Sequence, residues 1–343
     1  MIWTFIGFLF ISFVLNTFLY FFLKKKKFLL DCPFTEKHKI HSIDAVRCGG
    51  IGIYLSFLIG FFFFDLKYQK TFMISTLAFI LGLIEDLYKG INPKLRFSIL
   101  VLISVLLLII KPQIILTDLG IFKIPFYIGV LFTIFAIVGF TNSINISDGL
   151  NGLSSGIILN ASFFIILVSY LNKDYETLKF ITILAGSIMG FFIINFFTGR
   201  IFLGDSGAYF LGIIMAIISL YISNTYKEIS PWFFLVIFSY PVTDTVFSIY
   251  RRYMKNKKIF HSDTLHMHVL LNRRVFKNQM KSAFLIIIIS FIFSLIAFKF
   301  RKESYILASI YILYVTLYIS GYIAIISSQK NKLGLDQNSM SLK

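Results

Sequence analysis

The run Ile2–Leu23, IWTFIGFLFISFVLNTFLYFFL, contains no charged residue and is followed at once by Lys24–Lys27. A helix that crosses a bilayer needs about 20 mostly apolar residues, with a range of roughly 17–25. A cleaved secretory signal would carry its basic residues before the apolar run and a small-residue cleavage site after it. Here the basic residues come after. The stretch therefore predicts a retained first helix that starts outside the cell and stops at a lysine flank.

The same pattern recurs along the chain, at Gly49–Phe64, Phe72–Ile84, Phe97–Ile110, Phe126–Phe140, Leu153–Leu171, Phe180–Phe197, Ala208–Ser223, Pro231–Ile249, Phe284–Phe298 and Tyr305–Ser327. With the first run this makes about 11 transmembrane helices. The composition agrees, at 57% hydrophobic, 42 Phe, mean hydropathy +0.83 and only 14% charged residues. A soluble domain carries about 25% charged residues and needs a polar shell. Disorder is excluded by the same apolar excess. A membrane β-barrel would alternate polar and apolar residues in short segments instead of showing continuous runs. The expected fold is all-α, a polytopic integral membrane protein forming a single unit over residues 1–343, with no strands.

The charge is lopsided, with 33 Lys+Arg against 16 Asp+Glu giving +17. In a soluble chain that would suggest an acidic partner such as nucleic acid, but here it is a topology signal. Loops after odd-numbered helices, with the C-terminal tail, hold 23 of the Lys and Arg, and the other side holds 10. The positive-inside rule then places the odd loops in the cytoplasm, the N-terminus in the periplasm and the C-terminus in the cytoplasm. Lys299, Arg301 and Lys302 dissent, because they fall outside. Cys32 and Cys48 lie in the first cytoplasmic loop, a reducing compartment, and no Cys/His spacing suits zinc.

Ionisable and amide groups near membrane-helix ends are costly and tend to be functional. Five polar groups stand out, and all five fall in odd loops (about 24–48, 85–96, 141–152, 198–207 and 250–283). The first brings Asp31, Lys37, Lys39, His41 and Arg47 up to the pair Gly49-Gly50. Free N–H groups at such a helix start favour anions. The second, IEDLYKGINPKLRF (84–97), sets Glu85 and Asp86 beside Lys89, Lys94 and Arg96. The third, GFTNSINISDGLNGLSSG (139–156), spaces Asn142, Asn145, Asp148 and Asn151 by three and has no basic residue. Oxygen donors on one helix face suit Mg²⁺ or sugar and base hydrogen bonds. The fourth, NFFTGRIFLGDSGAYFLG (195–212), holds Asp205 between glycines. The fifth, RRYMKNKKIFHSDTLHMHVLLNRR (251–274), carries His261, His266 and His268, with Asp244 and Asp263 as its nearest acids. Each alone has an ordinary reading as a solvated loop, a turn or an anionic-lipid patch. Together they supply carboxylates and amides for a divalent metal, cations for phosphates and apolar walls for a lipid. That inventory suits Mg²⁺-assisted phosphoryl transfer to a lipid acceptor.

From about residue 30 to 274 the five groups, taken in order, resemble the polyprenyl-phosphate N-acetylhexosamine-1-phosphate transferases, glycosyltransferase family 4. NSINISDGLNGLSSG and FLGDSGAYFLG carry the resemblance most specifically. It implies transfer of an N-acetylhexosamine-1-phosphate from a UDP-sugar to undecaprenyl phosphate with release of UMP, in the bacterial inner membrane. It implies Mg²⁺, with Mn²⁺ as a substitute, held by Asp205 and Asn145. Catalytic roles fall to Asp86, Glu85, Asp148, His266 and His268. Substrate-binding roles fall to Lys89, Arg96, Asn151, Asn195, Phe202, Lys39, His41 and Arg47. No nucleic-acid partner is implied, and a homodimer is compatible with it.

Two departures sharpen the reading. The family usually has Asp-Asp where this chain has Glu85-Asp86, and the added methylene moves the oxygen, so Asp86 is the better candidate base. The peptidoglycan branch tends to have three consecutive histidines, whereas this chain has His266-Met267-His268. A GlcNAc-type donor for O-antigen, lipopolysaccharide or capsule synthesis is therefore preferred to UDP-MurNAc-pentapeptide. Rival classes are a transporter of lipid-linked substrates, which would line a midplane pathway with polar groups, and a CDP-alcohol phosphatidyltransferase, whose Ala-Arg and downstream paired aspartates are missing.

Overall fold

The computed structural model describes residues 1–31, 45–88, 90–256 and 263–340, with side chains to 328. In chain order the elements are α1 (Ile2–Lys26), strands β1 (Leu30–Asp31) and β2 (Ala45–Val46), α2 (Gly49–Phe63), α3 (Gln69–Tyr88), α4 (Pro93–Ile110), α5 (Phe126–Ser147), α6 (Leu153–Leu171), α7 (Tyr175–Thr198), α8 (Gly204–Thr225), α9 (Pro231–Ile237), α10 (Ser239–Met254), α11 (Met267–Leu270), α12 (Gln279–Lys299) and α13 (Ser304–Met340). The chain is an all-α, multi-pass membrane protein.

Among the described residues nine helices are long and apolar enough to cross a membrane, or ten if α9 and α10 count as one. Two of the eleven expected runs fall short of that length or straightness. The run Pro231–Ile249 is not one straight helix, because α9 and α10 meet at 81°. Pro241 supplies the reason: it has no N–H to give the carbonyl of Ile237, where α9 ends. The run at 49–64 forms a helix of only 15 residues, about 22 Å at 1.5 Å per residue. Its ends nevertheless lie at opposite ends of the bundle. Gly49 meets the start of α8, whereas Tyr68, a turn beyond Phe63, meets Thr177 at the start of α7.

Helix boundaries also move. α3 continues through Glu85 and Asp86, and α5 continues through Asn142 and Asn145. These side chains sit on rigid helix, not in loops. The strand-free expectation is corrected too: Leu30–Asp31 pairs antiparallel with Ala45–Val46, and Val46 bridges Ile201.

The centre of the bundle is α8, enclosed over almost its whole length, with α2, α3 and α5 packed around it. α13 lies mostly outward. Close approach to α8 rests on missing side chains. A Cβ on Gly50 would strike the backbone of Gly207, and one on Gly82 would strike the backbone of Asp205. Small residues let membrane helices pack this tightly. A buried polar link adds to it on the other side: Ser12 of α1 donates to the Ser187 carbonyl of α7, and Ser56 of α2 lies 3.0 Å from the Ser187 hydroxyl.

The two ends of the bundle differ in chemistry. The end formed by the starts of α2, α6 and α8 and the finishes of α3, α5 and α7 holds the candidate site residues. The other end holds Lys111, buried beneath Tyr68 and Tyr221 and donating to Thr71 at 3.0 Å. The charge asymmetry predicts that the first end faces the cytoplasm. In a background with Cys32 and Cys48 replaced, a cysteine at the exposed Lys227 should react with a membrane-impermeant maleimide in intact cells. A cysteine at the exposed Lys277 should react only after permeabilisation. The reverse pattern would overturn this orientation.

Candidate active site

The site begins with a backbone zipper. Val46 donates to the carbonyl of Arg200 (3.0 Å), Phe202 to Val46 (2.9 Å), Gly49 to Phe202 (2.9 Å) and Gly50 to Leu203 (2.8 Å). The chain entering α2 and the chain entering α8 are thereby fixed side by side. Gly204 sits at the corner with φ +74, a conformation that favours glycine.

The first turn of α8 is then held from α3. A helix leaves its first four N–H groups without internal partners, and Leu203, at the N-cap position, makes no side-chain cap. Asp86 provides it, accepting from the Asp205 N–H and the Ser206 N–H, each at 3.0 Å. Asp86 is 1% exposed, and both its oxygens are taken. An anion at a helix start is favoured by the dipole as well.

Asp205 therefore projects from a fixed turn. One of its oxygens receives the Asn145 amide from the end of α5, and the other lies 3.8 Å from Arg96 at the start of α4. Arg96 also approaches Glu85 at 3.3 Å. Glu85 accepts the Ile91 N–H (3.1 Å) and the Gly90 N–H (3.4 Å), so its extra length fastens the turn between α3 and α4. Arg47 completes the ring of charge. It bonds Asp31 at 2.8 and 3.0 Å and lies 3.8 Å from Asp86. Burial works against the Arg47 charge, but Asp31, then Asp86 and Asp205, outweigh it and raise its pKa.

The Asp148 element closes the site on the α5–α6 side. Asp148 caps the end of α5 and accepts from Ser154 at 2.7 Å. Enclosure by protein pushes its carboxyl up to about 7; the Ser154 bond opposes this, and the charges of Asp205 and Asp86 add to it. Asn195 spends both ends of its amide inside the fold, accepting from the Gly152 N–H and donating to the Ile201 carbonyl at 2.6 Å. It ties the Asp148 turn to the zipper, so any part it has in nucleotide recognition runs through the turn it holds. The Asn151 backbone donates to Gln279 at 3.4 Å. Phe202 lies in the zipper itself. Burial pushes the neighbouring Cys48 thiol up to about 12 and leaves it inert.

The histidines sit slightly apart. His268 packs against Gly149, where a Cβ would strike its Nε2, and its Nδ1 lies 2.8 Å from the Tyr240 hydroxyl. Burial lowers the pKa of His268 to about 4, so the ring is neutral. His266 pairs with Asp244 at 2.6 Å. Lys39, His41 and Lys89 lie outside the described residues. The structure thus brings together Asp86, Asp205, Asn145, Arg96, Glu85 and Arg47, with Asp148, Asn195 and Phe202 at the same end. Asp31, Asp244, Tyr240 and Tyr318 also take part without having been assigned from sequence. An acid at position 244 inside an apolar run was the available signal; nothing marked Tyr318.

Mg²⁺ is ordinarily held by one or two carboxylates, with substrate phosphates and water supplying the rest. Asp205 with Asn145 fits that donor set, provided the Asn145 oxygen turns to the side where its nitrogen now faces Asp205. Among the described residues no group of three His, Cys, Asp or Glu side chains is placed to hold a metal ion.

Residues 68–223 match the family described as Glycosyl transferase family 4. The chain is 29% identical over 313 residues to a probable undecaprenyl-phosphate N-acetylglucosaminyl 1-phosphate transferase of Bacillus subtilis, covering 87% of this chain and 84% of that protein. It is 29% identical over 286 residues to an undecaprenyl-phosphate alpha-N-acetylglucosaminyl 1-phosphate transferase of Thermotoga maritima, covering 83% and 86%. It is 26% identical over 251 residues to a phospho-N-acetylmuramoyl-pentapeptide-transferase of Streptococcus pneumoniae, covering 68% and 76%.

The cap supplied by Asp86 has a measurable consequence. Asp86→Asn turns one acceptor into a donor facing a backbone N–H. Leaving a buried donor unsatisfied costs about 1–3 kcal/mol. The variant should unfold at a lower temperature than wild type in detergent. An unchanged transition would mean that the contact adds nothing to stability.

Proposed function

We propose that this chain, a member of glycosyl transferase family 4 over residues 68–223, transfers an N-acetylhexosamine-1-phosphate from a UDP-sugar to undecaprenyl phosphate and releases UMP. The observation that carries this reading is the convergence of Asp205, Asn145, Arg96 and Arg47 on the first turn of α8, at one end of an otherwise apolar bundle. A lipid acceptor can stay in the membrane while its phosphate reaches that end. A transporter would need its polar groups along a path through the middle.

An oxygen of the acceptor phosphate attacks the sugar-linked phosphorus in line. The bond between that phosphorus and the bridging oxygen breaks, and the bridging oxygen leaves with UMP. The acceptor is already an anion near neutral pH, so no strong base is needed. Asp86, with both oxygens committed to α8, orients Asp205 and does not abstract a proton. Arg96 and Arg47 neutralise phosphate oxygens, and paired guanidinium contacts suit that geometry. Asp148 and the turn held by Asn195 border the nucleotide. Asp205 and Asn145 would hold Mg²⁺, or Mn²⁺, which supplies Lewis-acid neutralisation of the diphosphate.

A GlcNAc-type donor is favoured by the His266-Met267-His268 pattern, and the Bacillus and Thermotoga relatives carry names of that kind. The product would be the first lipid-linked intermediate of a cell-envelope polysaccharide, made on the cytoplasmic face of the inner membrane. Purified protein with undecaprenyl phosphate, Mg²⁺ and a panel of UDP-N-acetylhexosamines should release UMP, fastest with UDP-GlcNAc. Release only with UDP-MurNAc-pentapeptide would move the chain to the peptidoglycan branch, and no release with any donor would reject the reading. Asp205→Asn should lower turnover by about 100-fold or more, the scale of losing one charge-stabilising group. Wild-type turnover in that variant would reject the metal assignment.

A further inference from the structure

The histidine segment is anchored by a buried carboxylate to which no role attaches in the reading above. Asp244, on α10, is 1% exposed. One of its oxygens accepts from the Met267 N–H at 2.9 Å and from the Tyr318 hydroxyl of α13 at 2.6 Å. The other faces His266 Nδ1 at 2.6 Å. We infer that Asp244 is a positioning residue for the transfer reaction, holding His266 in the form protonated at Nδ1 so that Nε2 is the nitrogen presented to the substrate phosphates. This rests on the function proposed above.

An ionised carboxylate only accepts. Met267 N–H is a fixed donor, and Tyr318 donates to the same oxygen. Nδ1 must therefore carry the proton, which leaves Nε2 as the remaining ring nitrogen. With Nδ1–H held by Asp244, the ring donates to a phosphate oxygen only through a proton taken up at Nε2.

The surroundings fix the ring further. Nε2 lies 3.9 Å from Asp263. Asp263 is occupied by Arg251, by Ser248 at 2.6 Å and by the Leu265 N–H at 3.0 Å. Arg251 in turn holds the Leu265 carbonyl at 2.6 Å and the Tyr322 hydroxyl. The His266 and His268 rings stack at 5.5 Å and 15°. His268 then bears on Gly149, next to Asp148. Contacts thus run from Tyr318 on α13 through Asp244 and the two rings to the Asp148 turn.

Asp244→Asn separates positioning from bulk. Its carboxamide has nearly the same shape, but one end donates. Facing His266, that end favours the tautomer bare at Nδ1 and protonated at Nε2. In ¹⁵N-histidine-labelled protein, wild-type His266, assigned through loss of its signal in His266→Gln, should be protonated at Nδ1. Asp244→Asn should show the other tautomer. Its kcat should fall on the order of 100-fold with KM for the donor little changed, and Asp244→Glu should recover part of it. In a His266→Gln background Asp244→Asn should cost little more, because the two act through one ring.

A wild-type ring bare at Nδ1, full turnover in Asp244→Asn, or an undiminished loss in the His266→Gln background would each overturn the inference. The wild-type tautomer is read without substrate and without any Asp244 variant, so it tests the inference even if those variants misfold. Absence of UMP release from wild type, with the predicted tautomer present, would count against the proposed function instead.

Discussion

The organising contact is a carboxylate on two backbone amides. Asp86 reaches across from α3 and closes the first turn of α8. Without it, the start of α8, which is enclosed over almost its whole length, would leave two N–H groups unpaired. With it, Asp205 leaves the turn in one direction, toward Asn145 and Arg96. The zipper between residues 46–50 and 200–203 acts on the same turn from the other side. Three chain segments far apart in sequence are locked together by backbone hydrogen bonds and one acid. The glycines at 50 and 82 are the packing side of that arrangement, because any Cβ there would push α2 or α3 off α8.

Charge then collects around a centre that the fold has already made rigid. Arg47 and Arg96 flank the paired acids, and each bridges two carboxylates. Such a balanced cluster is suited to exchange. Under the proposed function, the arginines would turn to the oxygens of a diphosphate, and the carboxylates would be left to hold a cation. The sidedness of the whole chain supports the same end, since the excess of Lys and Arg over Asp and Glu lies mostly there.

Much of this could be read from sequence, for reasons that differ by element. Apolar runs fixed the membrane class, because length and hydropathy alone decide whether a helix can span. The five polar groups could be placed on one side because the runs between them set parity. The break at Phe238 has one local signal, Pro241, inside a run that is otherwise apolar enough to predict a single helix. The extension of α5 through Asn145 is masked in sequence because Thr141, Asn142 and Ser143 interrupt the apolar run after Phe140, although Ile144 and Ile146 continue the helix. Roles were harder than places. Asp86 and Asn195 look like reactive or recognising groups in one dimension, and only their three-dimensional partners show that their polar atoms bind other parts of the fold. Asp244 was visible as an acid in an apolar run, but its partner Tyr318 lies 74 residues away and nothing local links them.

In the proposed reaction the cluster on α8 transfers a phosphate together with its sugar, breaking the link between the two phosphates of the donor. Position-specific phosphorus labelling tests this most directly. With donor labelled separately at each phosphate, the sugar-linked phosphorus should move into the organic phase with the lipid, and the uridine-linked phosphorus should stay in water as UMP. Both labels remaining together in water, as UDP or as intact donor, would contradict the account.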